Sequence, residues 1–166
     1  MAIEPTKPYN TSVVFGRFNL LHRGHLALFE QMFDRSGLVV IGLSTNRSNL
    51  PVNLRMKVIG EACNSAGIHF RVAPAAQPFE LFKLVDEMNT DKVLTMFGED
   101  QYKLGKAAQR VYGWDTDVIP RLTSSTAIRG LIDNEEWDIL ARLVPSSVIS
   151  DVIKLRHLEL NPTKTN

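Results

Sequence analysis

The stretch Gly16-Arg17-Phe18-Asn19-Leu20-Leu21-His22-Arg23-Gly24-His25 lies between two segments of different periodicity. Residues 12–15, before it, form a short apolar run, and residues 23–33 repeat apolar side chains at helical spacing. The pattern predicts a strand, a turn and then a helix. A glycine in such a turn lets a ligand approach the backbone, and the helix start offers free N–H groups to an anion. The stretch therefore predicts a phosphate-binding turn.

Two histidines, His22 and His25, stand three residues apart in this stretch, which we call the histidine turn (residues 16–25). At that spacing both imidazoles lie on one side of the first helical turn, with Gly24 between them. Both can then donate hydrogen bonds to a polyphosphate. The alternative is that His22 caps the helix and His25 is a partly buried polar residue. No protein-held metal is predicted, because no third ligand stands nearby at ligand spacing.

Short apolar runs alternate with helical segments along the whole chain. The runs that we predict as strands cover residues 12–15, 38–43, 69–73, 92–97 and 117–119. The predicted helices cover residues 23–33, 53–66, 78–88, 100–111, 124–132 and 146–158. This order indicates parallel strands that are buried on both faces. We therefore predict a three-layer α/β/α sandwich with a five-stranded parallel sheet and C-terminal helices, whose ligands bind beyond the carboxyl ends of the strands.

Length and composition limit the class of protein further. The 166 residues fit one domain over residues 12–160, with a loosely ordered segment at 1–11 and a flexible tail at 161–166. Nineteen basic and eighteen acidic side chains leave a net charge of +1, so no bulk field favours nucleic acid or a membrane surface. The single cysteine fits a reducing compartment. We expect a cytoplasmic protein that binds neither nucleic acid nor membrane, and the sequence leaves a homo-oligomer open.

A second candidate phosphate site follows the last predicted strand, in Ser124-Ser125-Thr126-Ala127-Ile128-Arg129. A hydroxyl group there can cap a helix, and Arg129, one turn in, can bind phosphate oxygens. The alternative is a capped helix with a solvated arginine. Because the carboxyl ends of parallel strands meet at one edge of the sheet, a site shared with the histidine turn is favoured.

The two stretches resemble the two signature motifs of the HxGH nucleotidylyltransferase superfamily, in the same order along the chain. The Gly-Arg-Phe opening is most similar to that of archaeal-type nicotinamide mononucleotide (NMN) adenylyltransferases, and Ser-Ser-Thr-x-Ile-Arg is similar to the motif of the superfamily's adenylyltransferases. The resemblance implies a Rossmann-like nucleotidylyltransferase domain. It also implies transfer of AMP from ATP to a small phosphorylated acceptor with release of pyrophosphate, and NMN is the leading acceptor.

The resemblance assigns candidate roles to individual residues. His22, His25 and Arg129 are the candidate catalytic groups that hold the triphosphate. The candidate ATP-binding residues lie in the two motifs and at the end of the fourth strand: Gly16, Arg17, Phe18, Asn19, Gly24, Gly98, Asp100, Ser124, Ser125 and Thr126. For Asp100, capping of the next helix is an alternative to bonding a ribose hydroxyl. The resemblance further implies Mg²⁺ held mainly through the nucleotide phosphates.

The candidate acceptor-binding residues are Thr45, Arg55 and Phe82. Thr45 and Arg55 follow the second strand and would bind the acceptor phosphate, although Arg55 can equally be a solvated helix residue. Phe82 stands where the resembled enzymes place a ring that stacks on nicotinamide, and its alternative is a place in the core. Other readings keep the fold: cytidylyl or adenylyl transfer to phosphopantetheine or to a sugar or alcohol phosphate, or a nucleotide-binding module without turnover.

Overall fold

The computed structural model describes residues 7–46, 48–120 and 124–162. Its strands are β1 (Tyr9–Gly16), β2 (Ser36–Ser44), β3 (Phe70–Ala75), β4 (Val93–Phe97) and β5 (Asp115–Val118). Its helices are α1 (Arg23–Arg35), α2 (Val52–Ser65), α3 (Pro78–Glu87), α4 (Tyr102–Tyr112), α5 (Ser125–Asp133), α6 (Trp137–Leu143) and α7 (Ile149–Leu160). Within these ranges, no helix has the length and apolar character that a bilayer crossing requires.

All five strands run parallel in the order β3-β2-β1-β4-β5, and helices cover both faces of the sheet. Alternate apolar side chains of β1, β2 and β4 enter different cores, whereas β5, at the edge of the sheet, is mostly exposed. Val14 packs on one face with α1, α2 and the C-terminal helices α5, α6 and α7, whereas Val13 packs on the other face with α3 and α4. The predicted α/β/α sandwich with a five-stranded parallel sheet is confirmed.

Strand β1 is longer than its apolar run predicts, because it lies at the centre of the sheet. Tyr9 pairs with Ser36 of β2, and Thr11 pairs with Val93 of β4. The expectation of loose order up to residue 11 is therefore wrong for residues 9–11. Residues 1–6 of that segment and residues 163–166 of the predicted tail at 161–166 lie outside the described residues.

The position of β1 also determines where a ligand can bind. The chain moves from β1 to β2 and β3 on one side, and then crosses back to β4 and β5 on the other. Connections leaving β1 and β4 therefore diverge, and a crevice opens at their carboxyl ends. This crevice lies between Gly16, where β1 ends, and Gly98, which follows β4.

Candidate active site

A cleft of about 700 Å³ occupies the crevice at the carboxyl ends of β1 and β4, and we call it the β1/β4 cleft. Its wall combines strand ends, the histidine turn and the first residues after β4 and β5. The lining residues are Val14, Phe15, Gly16, Arg17, Phe18, His25, Leu28, Gly98, Glu99, Asp100, Ile119 and Pro120. The structure thus brings together six of the predicted site residues, from segments that are more than 70 residues apart in the chain.

Phe18 holds the histidine turn in a strained shape. Its φ of 45° lies in the left-handed region, which is unfavourable for a side chain with a Cβ. The ring lies over Gly16, where an added Cβ would approach it to 3.0 Å, and it contacts the edge of His25 at 5.3 Å between centroids. Strain of this kind persists only where the surrounding packing enforces it, and it is common at ligand sites. Packing therefore holds the turn in a specific conformation without a bound ligand.

The two histidines use their Nδ1 atoms to build the start of α1. The Gly24 amide donates to Nδ1 of His22 at 3.1 Å, and the His22 amide donates to Nδ1 of His25 at 3.3 Å. This reciprocal cap satisfies amides that would otherwise lack a partner in the first helical turn. Because Nδ1 is an acceptor in both rings, the neutral imidazoles carry their protons on Nε2. Helix capping and a donor role toward phosphate are thus compatible for His25, which lines the β1/β4 cleft, whereas His22 is 1% exposed and does not line it.

Burial makes both imidazoles neutral. Desolvation lowers the pKa of His22 below its usual value, and His22 is almost fully enclosed. Burial, with a smaller contribution from the neighbouring His22, lowers the pKa of His25 to about 3. The rings stack at 3.9 Å between centroids, which disfavours two positive charges. The pair therefore presents N–H dipoles at neutral pH, and the positive charge of the cleft comes from Arg17 and the start of α1.

Gly98 and Asp100 bring a carboxylate to the opposite wall of the cleft. Gly98 begins a single 3₁₀ turn (Glu99–Gln101), and an added Cβ would lie 2.8 Å from the Asp100 carboxylate. Helix α4 begins without a side-chain cap. Asp100 therefore does not cap this helix, and that alternative is wrong. The Asp100 carboxylate is exposed on the cleft wall, and its acceptance of a hydrogen bond from a ribose hydroxyl stays a prediction.

The start of α5 is built as predicted. The Ser124 hydroxyl accepts the Ala127 amide at 3.4 Å and caps the helix. Ser124 and Thr126 are exposed, and Ser125 is partly exposed. None of these residues lines the β1/β4 cleft in the described part of the chain, which omits residues 121–123. Their contact with ATP stays a prediction.

Arg129 forms an ion pair with the C-terminal helix. Its Nε and Nη2 donate to the Glu159 carboxylate at 2.9 Å and 2.8 Å, and Arg156 donates to the same carboxylate at 3.2 Å. Burial alone would raise the pKa of Glu159, but Arg129 and Arg156 hold it below its usual range. Arg129 is thus neither a solvated residue nor part of the described cleft wall, and its catalytic role stays a prediction.

Two of the acceptor predictions need correction. Phe82 is 1% exposed, because it lies on the buried face of α3 and packs against Trp114 in the core. Arg55 is fully buried and donates to backbone carbonyls instead of facing a ligand. Neither side chain has surface open to an acceptor. Sequence spacing could not show this, because burial depends on which face of each helix meets the sheet.

The remaining predicted residues support the cleft from behind or beside it. The Asn19 side-chain oxygen accepts the Ser48 hydroxyl at 2.7 Å, which ties the histidine turn to the segment after β2. Gly24 contributes its amide to the helix cap. Thr45 is partly exposed at the end of β2, and its amide donates to the Ala75 carbonyl at 3.0 Å. A phosphate contact of Thr45 stays a prediction.

Sequence reasoning missed several residues of the cleft wall. Glu99, Ile119 and Pro120 lie one or two residues beyond the ends of β4 and β5, in the region where the rule that ligands bind beyond strand ends applies. Phe15 and Leu28 supply apolar surface, and no chemical signal distinguishes them from core residues. Sequence reasoning thus favoured polar motifs and overlooked the apolar wall on which a base can lie.

Two carboxylates on the cleft wall are suited to Mg²⁺, whose binding together with a nucleotide stays a prediction. In the described part of the chain, no three His, Cys, Asp or Glu side chains come together as a metal cage. Glu99 and Asp100 nevertheless place oxygen ligands on the cleft wall, and Mg²⁺ on a triphosphate commonly takes one or two carboxylates besides phosphate and water.

The sequence profile of the Cytidylyltransferase-like family matches residues 13–150. The chain belongs to this family. The match confirms the superfamily that the two motifs predict, and it includes the histidine turn, the β1/β4 cleft and the start of α5. No curated protein sequence matches the chain.

Solved structures with the same fold include three adenylyltransferases. A proposed nicotinate-nucleotide adenylyltransferase from Vibrio parahaemolyticus is 16% identical, with a TM-score of 0.69 over 87% of this chain and 99% of that one. Nicotinic acid mononucleotide adenylyltransferase from Plasmodium falciparum, complexed with NaAD, is 12% identical, with a TM-score of 0.66 over 93% and 100%. A bifunctional NMN adenylyltransferase/ADP ribose pyrophosphatase from Francisella tularensis is 20% identical, with a TM-score of 0.63 over 95% and 58%.

Proposed function

We propose that this chain transfers AMP from ATP to a small phosphorylated acceptor and releases pyrophosphate, with NMN as the acceptor. The observation that carries the proposal is the preformed histidine turn at the point where the sheet connections diverge. It combines a glycine that admits close approach, a helix start and a partly buried histidine on one wall of a cleft large enough for a nucleotide.

The reaction requires positioning more than proton transfer. An oxygen of the acceptor phosphate attacks the α-phosphorus in line and forms a new P–O bond. The bond from that phosphorus to the α–β bridging oxygen breaks, and its electron pair leaves with pyrophosphate. The attacking phosphate is already an anion, so no general base is needed. Fixed donors near the leaving oxygens therefore supply most of the catalysis.

The cleft residues have distinct roles in this proposal. His25 donates a hydrogen bond from its Nε2–H group to the triphosphate, and His22 holds His25 in place through the helix cap. Arg17 and the amides at the start of α1 stabilise the negative charge that develops on pyrophosphate. Asp100 accepts a ribose hydroxyl. Mg²⁺ neutralises triphosphate charge when it is bound, with Glu99 and Asp100 as its nearest protein oxygens.

NMN is the leading acceptor because the Gly-Arg-Phe opening resembles that of NMN enzymes and the fold matches enzymes named for pyridine mononucleotides. Two of those names specify the nicotinate form, so nicotinic acid mononucleotide is the second candidate. Phe82 takes no part in either case, because it is buried in the core.

A two-way substrate panel tests the proposal. Purified protein is supplied with ATP or CTP and with NMN, nicotinic acid mononucleotide, phosphopantetheine, glycerol phosphate or a sugar phosphate, and pyrophosphate release is measured with and without Mg²⁺. We expect the fastest release with ATP and NMN, formation of NAD, and no turnover after Mg²⁺ is chelated.

Each alternative has its own result. Faster release with CTP across all acceptors would reject adenylyl transfer. Conversion of another acceptor without formation of NAD would reject NMN and retain the transferase assignment. Tight ATP binding without pyrophosphate release from any pair would indicate a nucleotide-binding module.

A further inference from the structure

Arg55 is an unusual feature of the core beside the cleft. It is the largest fully buried side chain of the described residues, and burial lowers its pKa. Among the described residues, no carboxylate forms an ion pair with it. A charged group in this position is costly unless its hydrogen bonds compensate for lost water.

The hydrogen bonds of Arg55 join two different loops. Nη1 donates to the carbonyl of Arg17 at 2.8 Å and to that of Ser44 at 3.1 Å, and Nη2 donates to the carbonyl of Leu50 at 3.3 Å. Arg17 belongs to the histidine turn, whereas Ser44 and Leu50 belong to the end of β2 and the segment that leads into α2. One guanidinium therefore bridges the ends of two neighbouring strands.

The Nε atom of Arg55 has no hydrogen-bond partner among the described residues. The guanidinium thus supplies hydrogen bonds to carbonyl groups of both loops, while its own Nε–H group lacks an acceptor among the described residues. A leucine or methionine would fill a similar volume without this cost, but it would leave three carbonyls without their donors. The presence of an arginine at this position is therefore explained by its hydrogen bonds to the two loops and not by packing in the core.

We propose that Arg55 is a positioning residue that sets the distance between the histidine turn and the segment after β2, in which Thr45 is the remaining candidate for acceptor binding. This inference rests on the proposed function for its catalytic consequence. An in-line transfer depends on the alignment of two bound substrates, and small misplacements reduce the rate strongly. Arg55 acts through the backbone of both loops and touches neither substrate.

Hydrogen exchange tests the bridge without any activity. Arg55→Met is compared with Val58→Ala, which removes buried volume from the same helix but has no polar contact, under conditions that give both variants the same free energy of unfolding. We expect peptides that contain Arg17 and peptides that contain Ser44 or Leu50 to exchange at least about tenfold faster in Arg55→Met than in Val58→Ala. Faster exchange in only one loop, or in neither, would overturn the proposal.

Steady-state kinetics tests the catalytic consequence. We expect Arg55→Met to lower kcat at least about tenfold while Val58→Ala stays within about twofold of wild type, and Arg55→Lys to fall between them because an ammonium cannot reach all three carbonyls. Equal kcat values in Arg55→Met and Val58→Ala would reduce Arg55 to a structural residue. If the wild-type protein releases no pyrophosphate, the proposed function fails, and the exchange comparison still decides whether Arg55 bridges the loops.

Discussion

The two turns at the carboxyl edge of the sheet, residues 16–25 after β1 and residues 124–129 at the start of α5, differ in what their polar side chains contact. In the histidine turn, His22 and His25 use one nitrogen each for the helix cap and retain the other as a donor. In the α5 turn, Arg129 directs its Nε and Nη2 to Glu159. Both turns begin a helix after a strand, yet of the described residues only those of the first turn line the β1/β4 cleft.

Under the proposed function, this difference predicts two ways of binding phosphate. The histidine turn would bind phosphate without rearrangement, because Phe18 and the cap already give the turn its shape. Arg129 would have to exchange a carboxylate for a phosphate, so the cost of breaking its ion pair would be subtracted from the binding energy. The first turn should therefore dominate the rate, and the second should adjust affinity.

The largest expected effect is at the preformed turn. His25→Ala should lower kcat/KM by about 100-fold, because loss of one fixed donor costs about 3 kcal/mol of transition-state stabilisation. Pyrophosphate release measures the rate, and circular dichroism checks that the fold is intact. His69→Ala, at an exposed histidine, is the control and should keep the wild-type rate. A near-normal rate in His25→Ala would leave His25 with a structural role only.

The next effect concerns stability and pH. Because burial lowers the pKa of His25 to about 3, the unfolded chain, with an ordinary histidine pKa of about 6.5, binds the proton first as the pH falls. The unfolded state gains protons between pH 6.5 and 3, so the free energy of unfolding must decrease as the pH falls through that window. Between pH 7 and 5 we expect His25 to account for about 1–2 kcal/mol of this decrease.

Urea unfolding at the two pH values measures the decrease. His25→Asn retains an acceptor for the His22 amide but has no proton to bind, so its free energy of unfolding should change less between pH 7 and 5 than that of wild type. His69→Asn, at a surface position, serves as the control. Identical pH dependence in wild type and His25→Asn would contradict a buried, neutral His25.

The smallest effect is expected at the α5 turn. Glu159→Gln should free Arg129 and strengthen ATP binding by about fivefold, which corresponds to the roughly 1 kcal/mol typical of a partly exposed ion pair. Asp133→Asn is the matched control, because Asp133 pairs with Arg156 and leaves Arg129 bonded to Glu159. Isothermal titration with ATP measures both affinities. Weaker ATP binding in Glu159→Gln would mean that Glu159 positions Arg129 instead of competing for it.

Local patterns were sufficient for much of the fold and for six residues of the cleft wall. Helix starts at Arg23 and after Ser124 follow from capping residues and apolar periodicity, which involve neighbours within four residues. The carboxyl ends of β1 and β4 follow from apolar runs that stop at Gly16 and Gly98. Because these signals are local, the sequence predicted where the strands end, and six of the predicted residues lie together on the cleft wall.

Partners that are distant in sequence could not be predicted in this way. The extension of β1 back to Tyr9 depends on its pairing with β2 and β4 at the centre of the sheet. The ion pair of Arg129 joins residues 30 positions apart, and it depends on how α7 packs beside α5. Neither feature leaves a periodic or motif signal.

By itself, therefore, the sequence determined the alternation of strands and helices and the two turns at the carboxyl edge, because each depends on residues close together in the chain. The tertiary structure alone decided that Phe82 belongs to the core and that Arg55 bridges two loops. Both outcomes depend on the angle at which α2 and α3 pack on the sheet. Burial and hydrogen-bond partners across that contact are properties of the folded assembly of elements, which no single segment encodes.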